Sequence, residues 1–302
     1  MRIHHLSCGT MCPWGGRIMD GPDRGPGPAE LVCHCLLIET DNAGLVLVDT
    51  GFGLQDVNHP WPRWSRFFLD LNRPQFVEDN TAVRQVERLG YNADDVRHIV
   101  MTHLDFDHAG GIEDFPGATV HVFATELSAA RARRGGLTGP ARYRAIQWDD
   151  NVQFRIYEAG GEPWYGFPSV RGLKGLPPEI LLIPLVGHTW GHCGVAVRNQ
   201  RGWMLHAGDA YFFSHEMDWR FPRCPPGLRF YQWMMEVDRG ARLDNQQRLR
   251  ALIRERGSEI SVFCAHDPVE LRAMQARVPA PVTAVQQAVP GRATPQPISP
   301  PG

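Results

Sequence analysis

The chain has 302 residues, of which 43% are hydrophobic and 21% are charged, and its formal net charge is -2. A chain of this size buries a full hydrophobic core, and its near-neutral charge argues against nucleic acid or an anionic membrane as a partner. No apolar run is long enough for a signal peptide or a membrane span, so we expect a cytoplasmic protein. Seven cysteines at no zinc-finger spacing are typical of a reducing compartment.

Short apolar runs that end in turn residues recur along the chain and predict β-strands. In chain order they are LVCHCLLIE, GLVLVDTG, RHIVMTH, ATVHVFA, EILLIPLVGH, CGVAVRN, GWMLHAGD and ISVFCAHD. Two segments between them, NTAVRQVERLG and LDNQQRLRALIRERG, have the apolar spacing and the terminal glycine of helices. The sequence therefore predicts an α/β fold in which residues 1–277 form a single domain and the Pro-rich segment 278–302 is a disordered tail.

Two predicted loop insertions, at about 52–80 and 211–235, are unusually aromatic. The second has 8 aromatic residues in 25 positions, against 10% in the whole chain, which is too many for a solvated connection. We expect these insertions to line a channel for the apolar portion of a small-molecule substrate, to form a homodimer interface, or both.

Five predicted strands end in histidine or aspartate, which are common metal ligands. In α/β folds, sites form where strand ends meet loops. The AGG that follows the densest group, THLDFDH, is expected to remove side-chain bulk beside bound ions. The side chains concerned are Asp49, His103, Asp105, Asp107, His108, His188, Asp209 and His266.

The order of LVLVDTG, THLDFDHAGG, GHTWGH, HAGDA and CAHDP resembles the metallo-β-lactamase superfamily of dinuclear metal hydrolases, over roughly residues 30–270. The resemblance implies a four-layer αββα sandwich of two mixed β-sheets with outer helices, and two divalent ions at one edge. It implies a structural role for Asp49. It assigns His103, Asp105 and His188 to the first ion, Asp107, His108 and His266 to the second, and Asp209 to a bridging position.

Asp105 departs from the His-x-His-x-Asp-His motif of most members. Three carboxylates and a bridging hydroxide would balance two divalent ions, whereas a histidine at 105 would leave a charge of +1. Because carboxylate is a harder ligand than imidazole, Asp105 should move the site from zinc, the expected metal, toward iron or manganese. The alternative is that Asp105 marks a lost site.

The resemblance implies a hydrolase in which a metal-bridging hydroxide cleaves an ester-like bond. Asp107 would orient the hydroxide and pass its proton to the leaving group, and Tyr211 would donate a hydrogen bond to the substrate carbonyl. The apolar segments resemble those of quorum-quenching lactonases, so we expect an acyl-homoserine-lactone-type substrate. The alternatives are a thioesterase or phosphoester hydrolase and, from another class, an iron-dependent redox protein or a non-catalytic metal-binding module.

If Asp105 binds the first ion, as the resemblance implies, then replacing it by histidine should raise the zinc content of the protein relative to iron and manganese, because imidazole is the softer ligand. Metal analysis of Asp105→His and wild-type protein, produced in one medium that contains all three metals, measures this. An unchanged metal ratio would contradict the hypothesis.

Overall fold

The computed structural model describes residues 1–22, 27–148, 152–158, 160–168 and 172–277, so the expected tail at 278–302 lies outside the described residues. The described strands form two large sheets and a short hairpin. The first sheet contains β1 (Arg2–Met11), β2 (Leu31–Glu39), β3 (Leu45–Val48), β4 (Pro74–Gln75), β5 (Val96–Val100), β6 (Thr119–Phe123) and β7 (Gln153–Tyr157). The hairpin contains β8 (Pro163–Trp164) and β9 (Phe167–Pro168), and the second sheet β10 (Ile180–Pro184), β11 (Cys193–Asn199), β12 (Gly202–His206) and β13 (Ile260–Phe263).

The helices lie between and after these strands. They are α1 (Arg17–Asp20), α2 (Leu54–Asn58), α3 (Pro60–Arg63), α4 (Arg66–Asn72), α5 (Ala82–Arg88), α6 (Ala124–Arg131), α7 (Gly139–Arg142), α8 (Pro226–Met235), α9 (Arg239–Arg256) and α10 (Pro268–Arg277). Single 3-10 turns occupy Glu78–Asn80, Ala93–Asp95, Ile112–Asp114, Gly136–Thr138, Ala145–Gln147 and Ser214–Met217. None of the helices among the described residues is long and apolar enough to cross a membrane.

Both predicted helices are present, as α5 and α9. Helix α9 begins earlier than its apolar spacing suggests, because the Asp238 carboxylate caps it by accepting the Ala241 N–H at 2.9 Å. The two aromatic segments predicted as loops contain helices α2 to α4 and α8. Helices α2 to α4 are only 4–7 residues long, and in α8 the exposed rings of Phe230 and Trp233 lie among the buried Leu228, Tyr231 and Met235, which obscures the helical spacing in the sequence.

Both large sheets are mixed. The first has the order β4-β1-β2-β3-β5-β6-β7, with β3, β5, β6 and β7 parallel, and the second has the order β10-β11-β12-β13, with β12 and β13 parallel. Strands β10 and β12 both pair antiparallel with β11 and therefore run in the same direction. The carboxyl ends of β3 and β5 lie at one edge of their sheet, and those of β10, β12 and β13 at one edge of theirs.

The two sheets pack face to face through an apolar core. Ile38, Val48 and Val100 of the first sheet belong to the same buried cluster as Leu182 and Val195 of the second. Helices α5 and α6 cover the outer face of the first sheet, and α9 covers the outer face of the second. These layers form the αββα sandwich that the resemblance implied.

Leu182→Ala should lower the free energy of unfolding by about 2–5 kcal/mol, because it leaves a cavity between the sheets. Urea denaturation measures the loss. Leu243→Ala on α9 is the control: Leu243 is 41% exposed, and its truncation should change stability by no more than about 0.5 kcal/mol. Equal losses in the two variants would contradict the placement of Leu182 in the core.

Candidate metal centre

The side chains predicted as ligands converge where the two sheets meet. His103 to His108 follow β5, His188 follows β10, Asp209 follows β12 and His266 follows β13. Main-chain hydrogen bonds hold the edges together, since Cys193 N–H donates to Thr102 O at 3.0 Å and His34 N–H donates to Ala265 O at 2.9 Å. All seven predicted ligands are at most 4% exposed: His103, Asp105, Asp107, His108, His188, Asp209 and His266.

Three of these side chains, those of His108, Asp209 and His266, have the mutual spacing of ligands around one cation, and Asp107 lies next to His266. The Nε2 atoms of His108 and His266 are 3.4 Å apart. Asp209 lies 3.3 Å from His108 Nε2 and 3.2 Å from His266 Nε2, and Asp107 Oδ2 lies 3.7 Å from His266 Nε2. Ligands at about 2.0–2.1 Å from a tetrahedral zinc ion are about 3.3–3.4 Å apart, so this group fits a divalent ion.

Hydrogen bonds behind the rings fix the orientation of the ligand atoms. His108 Nδ1 donates to Asp49 Oδ2 at 2.9 Å, and His266 Nδ1 donates to Val32 O at 2.7 Å. The Thr102 hydroxyl donates its only proton to Asp49 Oδ2 at 2.7 Å and therefore accepts from His103 Nδ1 at 2.9 Å. In all three rings the Nε2 atom thus faces the cluster, as metal-binding histidines require.

Three buried atoms of the predicted ligands have no hydrogen-bond partner among the described residues: His103 Nε2, His188 Nδ1 and Asp209 Oδ1, of which His103 Nε2 and Asp209 Oδ1 belong to one possible ligand group. Unpartnered buried acceptors are costly, and a cation between them removes that cost. Asp49 supports this arrangement from a left-handed backbone conformation with φ of 55°, which is rare for a residue other than glycine.

The other predicted ligand group contains an arginine that the sequence did not indicate. His188 Nε2 lies 3.1 Å from Asp105 Oδ2 and 3.3 Å from Asp209 Oδ2, and His103 Nε2 lies 3.4 Å from Asp105 Oδ2. The fully buried Arg142 donates from Nε to Asp105 Oδ1 at 2.7 Å and from Nη2 to Asp105 Oδ2. Arg142 adds one positive charge, so the neutral sum expected from Asp105 for two ions and a hydroxide becomes +1.

The pKa values reflect this crowding of charge. Burial alone would raise the pKa of Asp105, but the Arg142 guanidinium and then His103 hold it well below its usual value. Burial likewise opposes ionisation of Asp209, while His266, His108 and His188 lower its pKa. Burial raises the pKa of Asp107 and lowers that of His188 to about 4.

Tyr211 has a different partner from the one expected. Its fully buried hydroxyl donates to the Glu270 carboxylate at 2.9 Å, and its ring packs with the core under α9. Burial, followed by Glu270, raises the pKa of Tyr211. A catalytic role for Tyr211 stays a prediction, and it would require this hydrogen bond to open.

Two nearby residues that the sequence did not indicate, Glu126 and Cys33, support or adjoin the site. Glu126 of α6 accepts from Leu104 N–H at 2.9 Å, Thr189 Oγ1 at 2.6 Å and Gly191 N–H at 3.1 Å, and so ties the loops after β5 and β10 together. Cys33 lies within 4.8 Å of ligand atoms of Asp107 and His266, and burial raises its thiol pKa well above the usual value.

In the AGG motif, Gly110 packs closely against a neighbouring loop. A Cβ atom on Gly110 would lie 1.9 Å from Asp56 Oδ2 and 2.7 Å from Gly51 O. The expectation that these glycines clear space beside the metal is therefore wrong for Gly110, which makes room for the neighbouring loop that carries Gly51 and Asp56.

The aromatic segments divide into an inner and an outer set. The inner rings Trp64, Phe68 and Phe212 are buried in one cluster with Phe106 of the motif. Phe212 stacks on His266 with ring centroids 4.9 Å apart, so this cluster adjoins the centre. The outer set is exposed and includes Trp61, Phe67, Trp219, Phe221, Phe230 and Trp233. A homodimer through the exposed rings stays a prediction.

Asp49→Asn should weaken divalent-metal binding about 10–100-fold, because one amide oxygen replaces the two carboxylate oxygens that accept from Thr102 N–H, Thr102 Oγ1 and His108 Nδ1, and the orientation of His108 is then no longer fixed. Competition with a chromophoric chelator measures the affinity. Asp114→Asn is the matched control: Asp114 accepts from Leu54 N–H at 3.0 Å, and burial already raises its pKa to about 7. Equal affinities for the Asp49 variant and wild type would contradict the role of Asp49.

Comparisons with known proteins agree with this geometry. The model of the metallo-beta-lactamase superfamily matches residues 28–266. A protein of Mycobacterium tuberculosis (strain ATCC 25618 / H37Rv) named "Probable metallo-hydrolase" is 42% identical over 273 residues, which cover 89% of this chain and 81% of that protein. An N-acyl homoserine lactonase of Bacillus thuringiensis is 37% identical over 194 residues, 64% of this chain and 69% of that protein.

The fold has close counterparts among solved structures. An N-acyl homoserine lactone hydrolase with the product N-hexanoyl-L-homoserine bound at its catalytic metal center superimposes with a TM-score of 0.66 at 24% identity, covering 90% of this chain and 95% of that one. A dizinc quorum-quenching lactonase superimposes with a TM-score of 0.51 at 16% identity, over 88% and 87% of the two chains. By the family match and these relatives, the chain belongs to the metallo-β-lactamase superfamily.

Proposed function

We propose that the protein is a metal-dependent hydrolase that opens a lactone, or a related ester, carrying an apolar group. The observation that carries the proposal is the convergence of buried ligand atoms, with fixed Nε2 acceptors, beside an apolar pocket. The superfamily membership supports hydrolysis, and the relative named N-acyl homoserine lactonase supports the substrate class.

The pocket reaches His266 from the surface. Leu31, Phe212, Leu228 and Val269 contribute its apolar lining. The cavity has a volume of only about 30 Å³, so an acyl chain attached to a carbonyl group at the centre would have to widen it. The chain would then contact apolar side chains, where burial of each additional methylene is worth about 0.8 kcal/mol. Affinity should consequently rise with acyl length until the chain leaves the pocket.

A divalent ion at the centre supplies hydroxide near neutral pH and polarises a carbonyl oxygen. Asp209 and the Nε2 atoms of His108 and His266 are the side-chain atoms that would hold it. Zinc is the metal we propose, because nitrogen ligands and tetrahedral spacing suit it.

Asp107 is the residue that we assign to proton transfer. Of the three carboxylates, it is the one whose pKa burial holds above the ordinary value, whereas Asp105 and Asp209 have lowered pKa values. In the proposed reaction, Asp107 takes a proton from water while the water oxygen bonds to the carbonyl carbon. The ring C–O bond then breaks, and Asp107 returns the proton to the leaving alkoxide.

Proton release on addition of N-hexanoyl and N-decanoyl homoserine lactone to zinc-loaded protein tests the proposal. We expect release with both lactones, a lower KM for the decanoyl compound, and loss of release in Asp209→Asn. No release from either lactone by metal-loaded protein would refute lactone hydrolysis and direct the search to thioesters and phosphoesters.

A second variant tests the pocket separately from the chemistry. Val269 is 54% exposed at the pocket rim, so Val269→Trp should fold normally and obstruct the path of a long acyl chain. We expect its KM to rise several-fold for the decanoyl lactone and to change little for the hexanoyl lactone. An equal effect on both lactones would place the acyl chain elsewhere.

A further inference from the structure

We propose that the guanidinium of Arg142 occupies the place of the first cation, so that the centre holds a single divalent ion, at His108, Asp209 and His266 and next to Asp107. The proposal rests on the proposed function only in assuming that this second ligand group binds metal. It departs from the two-ion expectation that the resemblance implies, and it gives Asp105 a specific purpose.

Arg142 is fixed in this position by all five of its N–H donors. Nε and one Nη2 proton are donated to the Asp105 carboxylate, and the other Nη2 proton is donated to His188 Nε2 at 2.8 Å. The two Nη1 protons are donated to the main-chain oxygens of Met235 and His188. The side chain is 0% exposed, so the guanidinium is a built part of the centre rather than a mobile surface group.

The arginine and a first metal ion would compete for the same atom. A neutral imidazole nitrogen has one lone pair, and His188 Nε2 already uses it to accept from Arg142. A divalent ion bound to His188 would have to displace that hydrogen bond, and it would lie next to the permanent positive charge of a guanidinium in a site closed to water.

Asp105 is then the partner that this arginine needs. A carboxylate pairs with a guanidinium through two parallel hydrogen bonds, and Asp105 makes both of them. A histidine at position 105 offers one acceptor at most and would leave the buried charge of Arg142 uncompensated. The carboxylate of Asp105, which departs from the superfamily motif, and the buried guanidinium of Arg142 therefore compensate each other's charge.

The described hydrogen bonds of Arg142 do not involve the second ligand group. The donors of Arg142 go to Asp105, His188 and Met235, and none goes to Asp107, His108 or His266. His103 Nε2 has no hydrogen-bond partner among the described residues, and it lies within 4.8 Å of the ligand atoms of His108 and Asp209 as well as those of Asp105 and His188, so it stands between the two groups.

Metal analysis of zinc-saturated, gel-filtered protein tests the proposal without any substrate. We expect about one zinc per wild-type chain, about one in His188→Ala and a loss of zinc in His266→Ala, because only the second group binds tightly. Two zinc ions per wild-type chain, or none, would overturn the proposal. So would a loss of the ion in His188→Ala with retention in His266→Ala.

Arg142→Ala tests the competition directly and should raise the content to about two zinc ions per chain, since His188 and Asp105 become free ligands. Arg144→Ala is its matched control: Arg144 is two residues away, and its Nε donates to Arg63 O at 3.0 Å, so this variant should keep the wild-type content. A folded Arg142→Ala protein that still binds one zinc ion would overturn the competition. If that variant does not fold, the two histidine variants decide the question.

The two proposals can fail independently. One zinc ion per chain without lactone turnover would refute the lactonase and leave the assignment of Arg142 intact. Lactone turnover by a protein with two zinc ions per chain would support the lactonase and refute the assignment of Arg142.

Discussion

Three carboxylates, those of Asp105, Asp107 and Asp209, are buried together where the two sheets meet. Buried anions are tolerated only when positive charge lies next to them, and this requirement governs the rest of the centre. Arg142 neutralises the first of them. Imidazole nitrogens face the other two at 3.2–3.7 Å, a spacing that suits a shared divalent ion. Where the two sheets meet, the need to balance buried charge thus limits the choice of side chains more than the packing of the sheets does.

The fold meets that requirement by fixing ligand orientation from behind. Asp49 sets the rings of His103, through Thr102, and of His108, while a main-chain oxygen of β2 sets His266. These supports lie on or directly after strands of the first sheet, whereas His266 follows β13 of the second, so the metal geometry depends on the sandwich being closed. Glu126 has a related function, because its carboxylate joins the loop after β5 to the loop after β10. Orientation of this kind is what separates a functional centre from a collection of suitable residues.

The aromatic segments adjoin the centre. Their inner rings close the site on one side, and the stacking of Phe212 on His266 places an apolar surface against a ligand. Water excluded by these rings strengthens electrostatic interactions inside, which benefits both the buried arginine and a bound cation. Four of the outer rings, those of Trp61, Phe67, Phe230 and Trp233, lie exposed on short helices that the sequence did not reveal, because exposed apolar residues obscure the helical spacing.

The sequence by itself predicted strands β2, β3, β5, β6 and β10 to β13, because apolar runs that end in turn residues are local patterns, but it did not indicate β1 or β7. Its motifs implied the sandwich and the candidate metal ligands through their resemblance to the superfamily. It did not reveal the short helices of the aromatic segments, the reason for Gly110 or the partner of Tyr211. Only the tertiary structure placed Arg142 on Asp105, 37 residues away, and Glu270 on Tyr211, 59 residues away. Such pairs join segments with no shared periodicity. Whether a buried carboxylate faces a metal or a guanidinium depends on which distant segments pack against it in the folded chain.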